Sequence, residues 1–315
     1  MELSANVQDC PPEQDRWSKW LLHTRYGNDP EEKIRIQAEL ARIANRLLAP
    51  VKWSTCSTLL DIGSGDGLVA FRAIELAGDS LRVVVNDSSR AILDVTEREA
   101  KRRNVHVQCQ FLHSSAEQLN ELGNESVDVI TCRASLAYVP DKMRALEEFF
   151  RVLRPGGRIM IAEPILQDEA LFVRAIERRL NEKTPGSHGR LLKLIHIWKS
   201  AQFPDSSDNA LINFSERDLL NYFLKVGFRP VRLQLRIDVK HAPPMRWDAF
   251  LDGSPHPLAP TLREIIRDQF GESEKAEFEN ALQPVVEAGH SLTTTRVCYL
   301  SAKKPKFPVV GETWI

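Results

Sequence analysis

Leu59-Leu60-Asp61-Ile62-Gly63-Ser64-Gly65-Asp66-Gly67 is the stretch whose reading decides the fold. A short apolar run ends at Asp61-Ile62, three glycines follow at alternate positions, and a helix is predicted from about Leu68 to Ala77, stopping at Gly78. Glycine lets a backbone bend tightly and approach a ligand with no Cβ in the way. Such a strand–turn–helix at the carboxyl edge of a parallel sheet is a place for a nucleotide or nucleoside. Asp61 narrows the choice. A carboxylate beside the glycines would repel a pyrophosphate and attract an ammonium group.

The pattern repeats outward from that turn. Arg82-Val83-Val84-Val85-Asn86-Asp87 reads as a second strand, with a helix opening at Ser88 or Ser89. His106–His113, Val127–Arg133 and Arg158–Pro164 read as three more, and the helix carrying Leu146, Phe149, Phe150 and Leu153 precedes the last. Val231–Val239 and Thr293–Lys303 add a sixth and a seventh. Short apolar strands alternating with helices imply a sheet covered on both faces. The expectation is an α/β, Rossmann-like, seven-stranded, mostly parallel sheet with helical caps. Its parts are an N-terminal helical cap at 1–50, a core at 51–163 and a helical lid insertion at 164–211. The rest of the core spans 212–303, with a helical insertion at about 243–290, and a tail follows at 304–315.

Charge and cysteines bound the function. The 42 basic residues against 43 acidic give a net charge of −1, so no long-range field favours nucleic acid as a partner. No apolar run is long enough to span a bilayer, and the N-terminus lacks a secretion signal, so no membrane partner and a cytoplasmic location are expected. The five cysteines are scattered with no C-x-x-C pair, which fits a reduced chain without a zinc site. The sequence leaves the oligomeric state unread.

The motifs resemble those of the class I S-adenosylmethionine (SAM)-dependent methyltransferases, in the branch that acts on small molecules. Asp61-Ile62-Gly63-Ser64-Gly65-Asp66-Gly67 is similar to the first motif of that family, and Asp87 matches its ribose-binding acid. Phe111–Glu117 resembles the segment that packs around adenine, with Ser115 where an aspartate is common. Arg133–Tyr138 follows the fourth strand, and Leu153-Arg154-Pro155-Gly156-Gly157 resembles the turn before the fifth. The resemblance implies that SAM is bound by Asp61, Gly63, Ser64, Gly65, Gly67, Asp87, Ser88, Ser115, Ala116, Glu117 and Arg133, leaving S-adenosylhomocysteine as product. A dehydrogenase using NAD predicts G-x-G-x-x-G, which the chain lacks. A partner that binds SAM without turning it over is the other alternative.

The acceptor is less defined. Glu163 ends the fifth strand beside the expected methyl, where a walled-in carboxylate could take a proton; Tyr138 and His188 are the other candidate catalytic groups. The basic run in the first insertion, with Arg174, Arg178 and Arg190, could grip an anionic acceptor, with Arg25 and Tyr26 of the N-terminal segment beside it. Trp198 and Trp247 offer apolar surface. An anionic head on an apolar tail describes a prenyl diphosphate methylated on carbon, with Glu163 as proton acceptor. The alternative is O- or N-methylation of a natural product or a carboxylate-bearing metabolite. No metal site is expected, and magnesium would enter only with a diphosphate.

Overall fold

Seven strands form one sheet in the order β3-β2-β1-β4-β5-β7-β6. The computed structural model describes residues 15–182, 187–206 and 209–307. The strands are β1 (Thr58–Ile62), β2 (Arg82–Asp87), β3 (Cys109–His113), β4 (Val127–Arg133), β5 (Leu153–Pro164), β6 (Val231–His241) and β7 (Leu292–Lys303). The first five are parallel, and β7 runs antiparallel between β5 and β6. After β3 the chain crosses to the other side of β1, so the ends of β1 and β4 flank a topological switch point. In open α/β sheets that crevice is where ligands sit.

Helices cover both faces, which is why β1 and β2 read as continuous apolar runs. On one face α2 (Pro30–Leu48) and α3 (Leu68–Ala77) pack Ala44, Leu47, Val69, Ala70 and Ile74 against Val83, Val85, Met160 and Ala162. On the other, α5 (Lys142–Val152) and α8 (Glu216–Val226) bring Leu146, Phe149 and Phe223 onto Ile130, Ile159 and Ile161. Local signals set the helix starts. Asp29 caps α2 ahead of Pro30, Ser89 caps α4 (Arg90–Arg102), and Ser215 with Asp218 closes a capping box on α8.

Three features differ from the sequence reading. The 1–50 unit is divided: α2 belongs to the sheet's covering layer, and only α1 (Arg16–Leu22) with the turn Thr24–Tyr26 reaches over the carboxyl edge. His106–Gln108 makes a short 3-10 turn, so β3 begins at Cys109. The Arg154-Pro155-Gly156-Gly157 turn lies inside β5 as a register break between the Val127–Leu153 and Val129–Arg158 pairs. Of the tail, residues 304–307 are described. Lys304 continues β7 by bonding to Gly156 and Gly157.

The two insertions are one body. α6 (Gln167–Asn181) and α7 (Ser187–Gln202) follow β5, whereas α9 (Trp247–Asp252), α10 (Leu262–Gln269) and α11 (Glu272–Glu287) lie between β6 and β7. Leu194 of α7 shares a core with Trp247, Leu251, Leu262, Ile266 and Phe278. Phe278 is fully buried, edge-on to Trp198 and Phe270. Phe278→Ala should cost about 3–5 kcal/mol in that core. Hydrogen exchange is expected to rise in α7 and α9–α11 while β1, β2 and β4 keep their protection.

Candidate active site

A cleft of about 200 Å³ opens at the carboxyl ends of β1, β2 and β4. Its floor is the glycine turn. Gly63 has φ +58°, and a Cβ there would come within 2.4 Å of the Ser135 Cβ. Only glycine fits between the turn and the loop after β4. Gly65, also at φ +58°, donates its N–H to Asp87 Oδ2 at 3.0 Å.

Asp87 is the residue around which the cleft closes. Its other oxygen accepts from Ser89 N at 3.0 Å, so the side chain ties the β1 turn to the start of α4. Burial raises its pKa, opposed by those two N–H groups. A carboxylate oxygen can accept more than one hydrogen bond, so lone pairs remain for two ribose hydroxyls. Ser115, Ala116 and Glu117 form the wall beyond it. Ser115 Oγ donates to Glu117 at 3.1 Å, and Glu117 accepts Asp141 N at 2.8 Å, so the wall is braced from behind.

Asp61 lies beneath the turn, 1% exposed. Oδ1 accepts from Thr131 Oγ1 at 2.7 Å and Oδ2 from Ser64 Oγ at 2.9 Å. Burial pushes its carboxyl up to about 6 despite those hydroxyls and the nearby Arg133. Arg133, on the cleft wall, has a buried Nε with no hydrogen-bond partner. An orphaned guanidinium nitrogen beside a buried carboxylate suits the carboxylate and ammonium of an amino acid group.

The roof comes from α1. Asp15 caps α1 through Trp17 N and Ser18 N and also accepts the Ser89 hydroxyl, which pins α1 to the start of α4. Trp17, Trp20, Leu21 and Arg25 are thereby laid over the cleft. Trp17 meets Tyr138 edge-on at 5.1 Å, and Trp20 Nε1 donates to Ser254 O at 3.0 Å, joining roof to lid. Burial and the Glu163 charge raise the Tyr138 pKa, so its hydroxyl stays protonated at neutral pH.

Glu163 lies under the cleft rather than on its wall. It is fully buried, with Oε1 accepting from Ser135 N and Leu136 N at 3.1 Å each and Oε2 from Ala137 N at 3.1 Å. Burial raises its pKa against those bonds. The loop it holds includes Ala134 at φ +50°, an uncommon conformation for a residue with a Cβ. Lys142 braces the same loop from outside, donating to Ala137 O, Val139 O and Ala210 O. Burial lowers its pKa to about 8.

The remaining sequence candidates are spread out. Gly63, Gly65, Asp87, Ser88, Ser115, Ala116, Glu117, Arg133, Tyr138 and Arg25 line the cleft. Ser64 supports Asp61, and Gly67 begins α3. Tyr26 and Trp198 line a neighbouring cavity, while Trp247 is in the lid core. The basic run of the lid faces outward: Arg174 pairs with Asp205, Arg190 with Glu277, and Arg178 is exposed. Ala170, Val173 and Ile176 take the inner face of α6, which turns Arg174 and Arg178 to solvent. The side chain of His188 lies outside the described residues. Sequence reasoning missed Asp15 and Lys142, and it left Lys199 undistinguished within the basic run of the first insertion; the Asp15-x-x-Ser18 start of α1 was the local sign of the first. Among the described residues no cluster of His, Cys, Asp or Glu stands ready for a metal ion, and no helix is long and apolar enough to cross a membrane.

The sheet, its covering helices and the cleft at its carboxyl edge make up a Rossmann-like methyltransferase fold. Residues 60–161 match the family described as Methyltransferase domain. Over 116 residues the chain is 36% identical to the ubiquinone/menaquinone biosynthesis C-methyltransferase UbiE of Nitrobacter hamburgensis, covering 37% of this chain and 46% of that one. The counterpart from Brucella suis is 33% identical over 120 residues, 36% of this chain and 44% of that one. The matches therefore span less than half the length of these relatives. Among solved structures, the YcgJ protein of Bacillus subtilis superposes with a TM-score of 0.52 at 16% identity, covering 85% of this chain and 97% of that one, and shows the same fold.

Two predictions follow from the buried acids. Asp87→Ala should weaken S-adenosylhomocysteine binding at least tenfold by calorimetry. Asp61 has a folded pKa near 6 against 3.8 unfolded, so its contribution to stability is largest below 3.8 and is lost as pH rises through about 6. At pH 7.5 the buried charge then costs about 2–3 kcal/mol. Asp61→Asn should melt no lower than the parent at that pH yet bind SAM more weakly, and the parent's SAM affinity should fall as pH drops below 6.

Proposed function

We propose that the protein transfers the SAM methyl group to a small-molecule acceptor that enters beneath Trp17, Trp20 and Tyr138. The observation that carries this reading is the placement of Asp87. It anchors the glycine turn and still offers lone pairs to a cleft with Arg133 on the opposite wall. SAM, when bound, supplies an already activated methyl on a sulfonium sulfur. Asp87 would hold the ribose, Ser115 to Glu117 would flank the adenine and Arg133 would take the carboxylate, with Asp61 and the turn beneath the ammonium. The aromatic roof would exclude water and orient the acceptor.

For the acceptor, the reading is an anionic small molecule methylated on carbon, with a prenyl diphosphate among the candidates. Two observations support it: the relatives named above are C-methyltransferases, and Arg25 stands in the cleft wall unpaired with any carboxylate among the described residues. Both Glu163 oxygens are engaged by the loop, so this residue acts as a positioning group in the resting site. Taking up a proton would require it to give up one of those bonds.

Incubation with methyl-labelled SAM and a panel of prenyl diphosphates and aromatic acids should transfer label to an anionic acceptor. Tight SAM binding with no transfer to any acceptor would make the protein a non-catalytic binder. Glu163→Gln separates the roles of that carboxylate. As a positioning residue, the substitution should lower the melting temperature and S-adenosylhomocysteine affinity together with turnover. A proton acceptor would lose turnover alone, with the acid limb of the pH profile.

A further inference from the structure

A second cavity of about 240 Å³ lies between the N-terminal segment and the lid. Arg25 stands in its wall and in the wall of the cofactor cleft, so the two spaces are neighbours. The lining is largely apolar, with Ile36, Trp198, Met245 and Phe250. Two residues of that lining, Lys199 and Trp198, carry a polar group short of a partner among the described residues. Lys199 Nζ lies 4.5 Å over the Trp198 ring and 5.9 Å over Phe203, and among the described residues it makes no ion pair. Burial lowers its pKa, opposed by the Glu169 charge. The Trp198 Nε1 is buried with no hydrogen-bond acceptor among the described residues. The carboxylate lining the cavity, Glu32, is already bonded to Arg35.

A half-buried ammonium without an anion and a buried indole N–H without an acceptor both cost free energy that a ligand could recover. Apolar walls around a few convergent polar groups are the usual form of a small-molecule site. Arg25 packs over Trp20 at 4.9 Å rather than against an acid, leaving a second cation at the junction.

We propose that this cavity is the acceptor pocket, and that it takes an apolar skeleton bearing one anionic group, a carboxylate or a phosphate, held by Lys199 and the indole N–H of Trp198. The inference rests on the methyltransferase reading and adds to it where the acceptor's charge is recognised. The anion is gripped in the cavity while the part of the skeleton that passes Arg25 reaches the methyl. The outward-facing arginines of α6 and α7 take no part.

The test uses three ligands with one skeleton: geranic acid, geranyl diphosphate and neutral geraniol. Each is titrated by calorimetry into the full chain saturated with S-adenosylhomocysteine. At least one anion should bind ten or more times tighter than geraniol, and the tighter of the two identifies carboxylate or phosphate as the preferred head. Lys199→Met should weaken that anion at least tenfold, Lys199→Arg should restore most of the affinity, and S-adenosylhomocysteine should bind both variants as it binds the parent. Geraniol binding as well as the anions, no anion binding at all, or Lys199→Met leaving anion affinity intact would each overturn the proposal. Failure of the parent chain to bind S-adenosylhomocysteine would instead strike at the methyltransferase reading itself.

Discussion

Three successive backbone N–H groups, of Ser135, Leu136 and Ala137, turn onto one carboxylate at the end of β5. That set of bonds fixes the loop after β4. The loop in turn places Ser135 against the bare Cα of Gly63, holds Ala134 in its left-handed conformation and sets Tyr138 under the roof. An isolated carboxylate could not be buried there, because desolvation would neutralise it; the donors offset that cost. The same device recurs along the edge. Asp61 is held by two hydroxyls and Asp87 by two N–H groups, each inside the protein and each joining one loop to another. The strand ends of this sheet are knitted by acids as well as by apolar packing of Ile62, Leu136 and Ile161.

This arrangement separates charge by depth. Asp61, Asp87 and Glu163 lie at or below the cleft floor, and the cations Arg25 and Arg133 lie on its walls, where Glu117 is held by Ser115 and the Asp141 N–H. A ligand that carries an ammonium, a carboxylate and a sulfonium meets complementary groups without bringing counter-ions of its own.

Much of this was legible in the sequence where the signal is local. The glycine turn, Asp87 and the helix start at Ser88 or Ser89 are short-range patterns, and the structure realises each as a tight turn, a strand-end acid or a helix start capped by Ser89. What escaped was direction. Arg174, Arg178, Arg190 and Lys199 look alike in a basic run, but only packing decides which face of a helix meets the core. Glu163 showed its position at a strand end, not its depth, because the N–H groups that occupy it come from a loop almost thirty residues earlier in the chain. Asp15 was invisible as a site residue for the same reason: its partner Ser89 is 74 residues away.

The lid's two insertions are interrupted by α8 and β6 yet bury a single set of side chains. Neither piece is a self-sufficient module. In recombination between related chains, a segment covering α6 and α7 alone would arrive without the partners of Leu194 and Trp198, and would leave Trp247 and Phe278 facing water. Inheritance of a new lid therefore demands that two distant stretches of sequence travel together, whereas the core from β1 to β5 is contiguous and can be passed on in one piece.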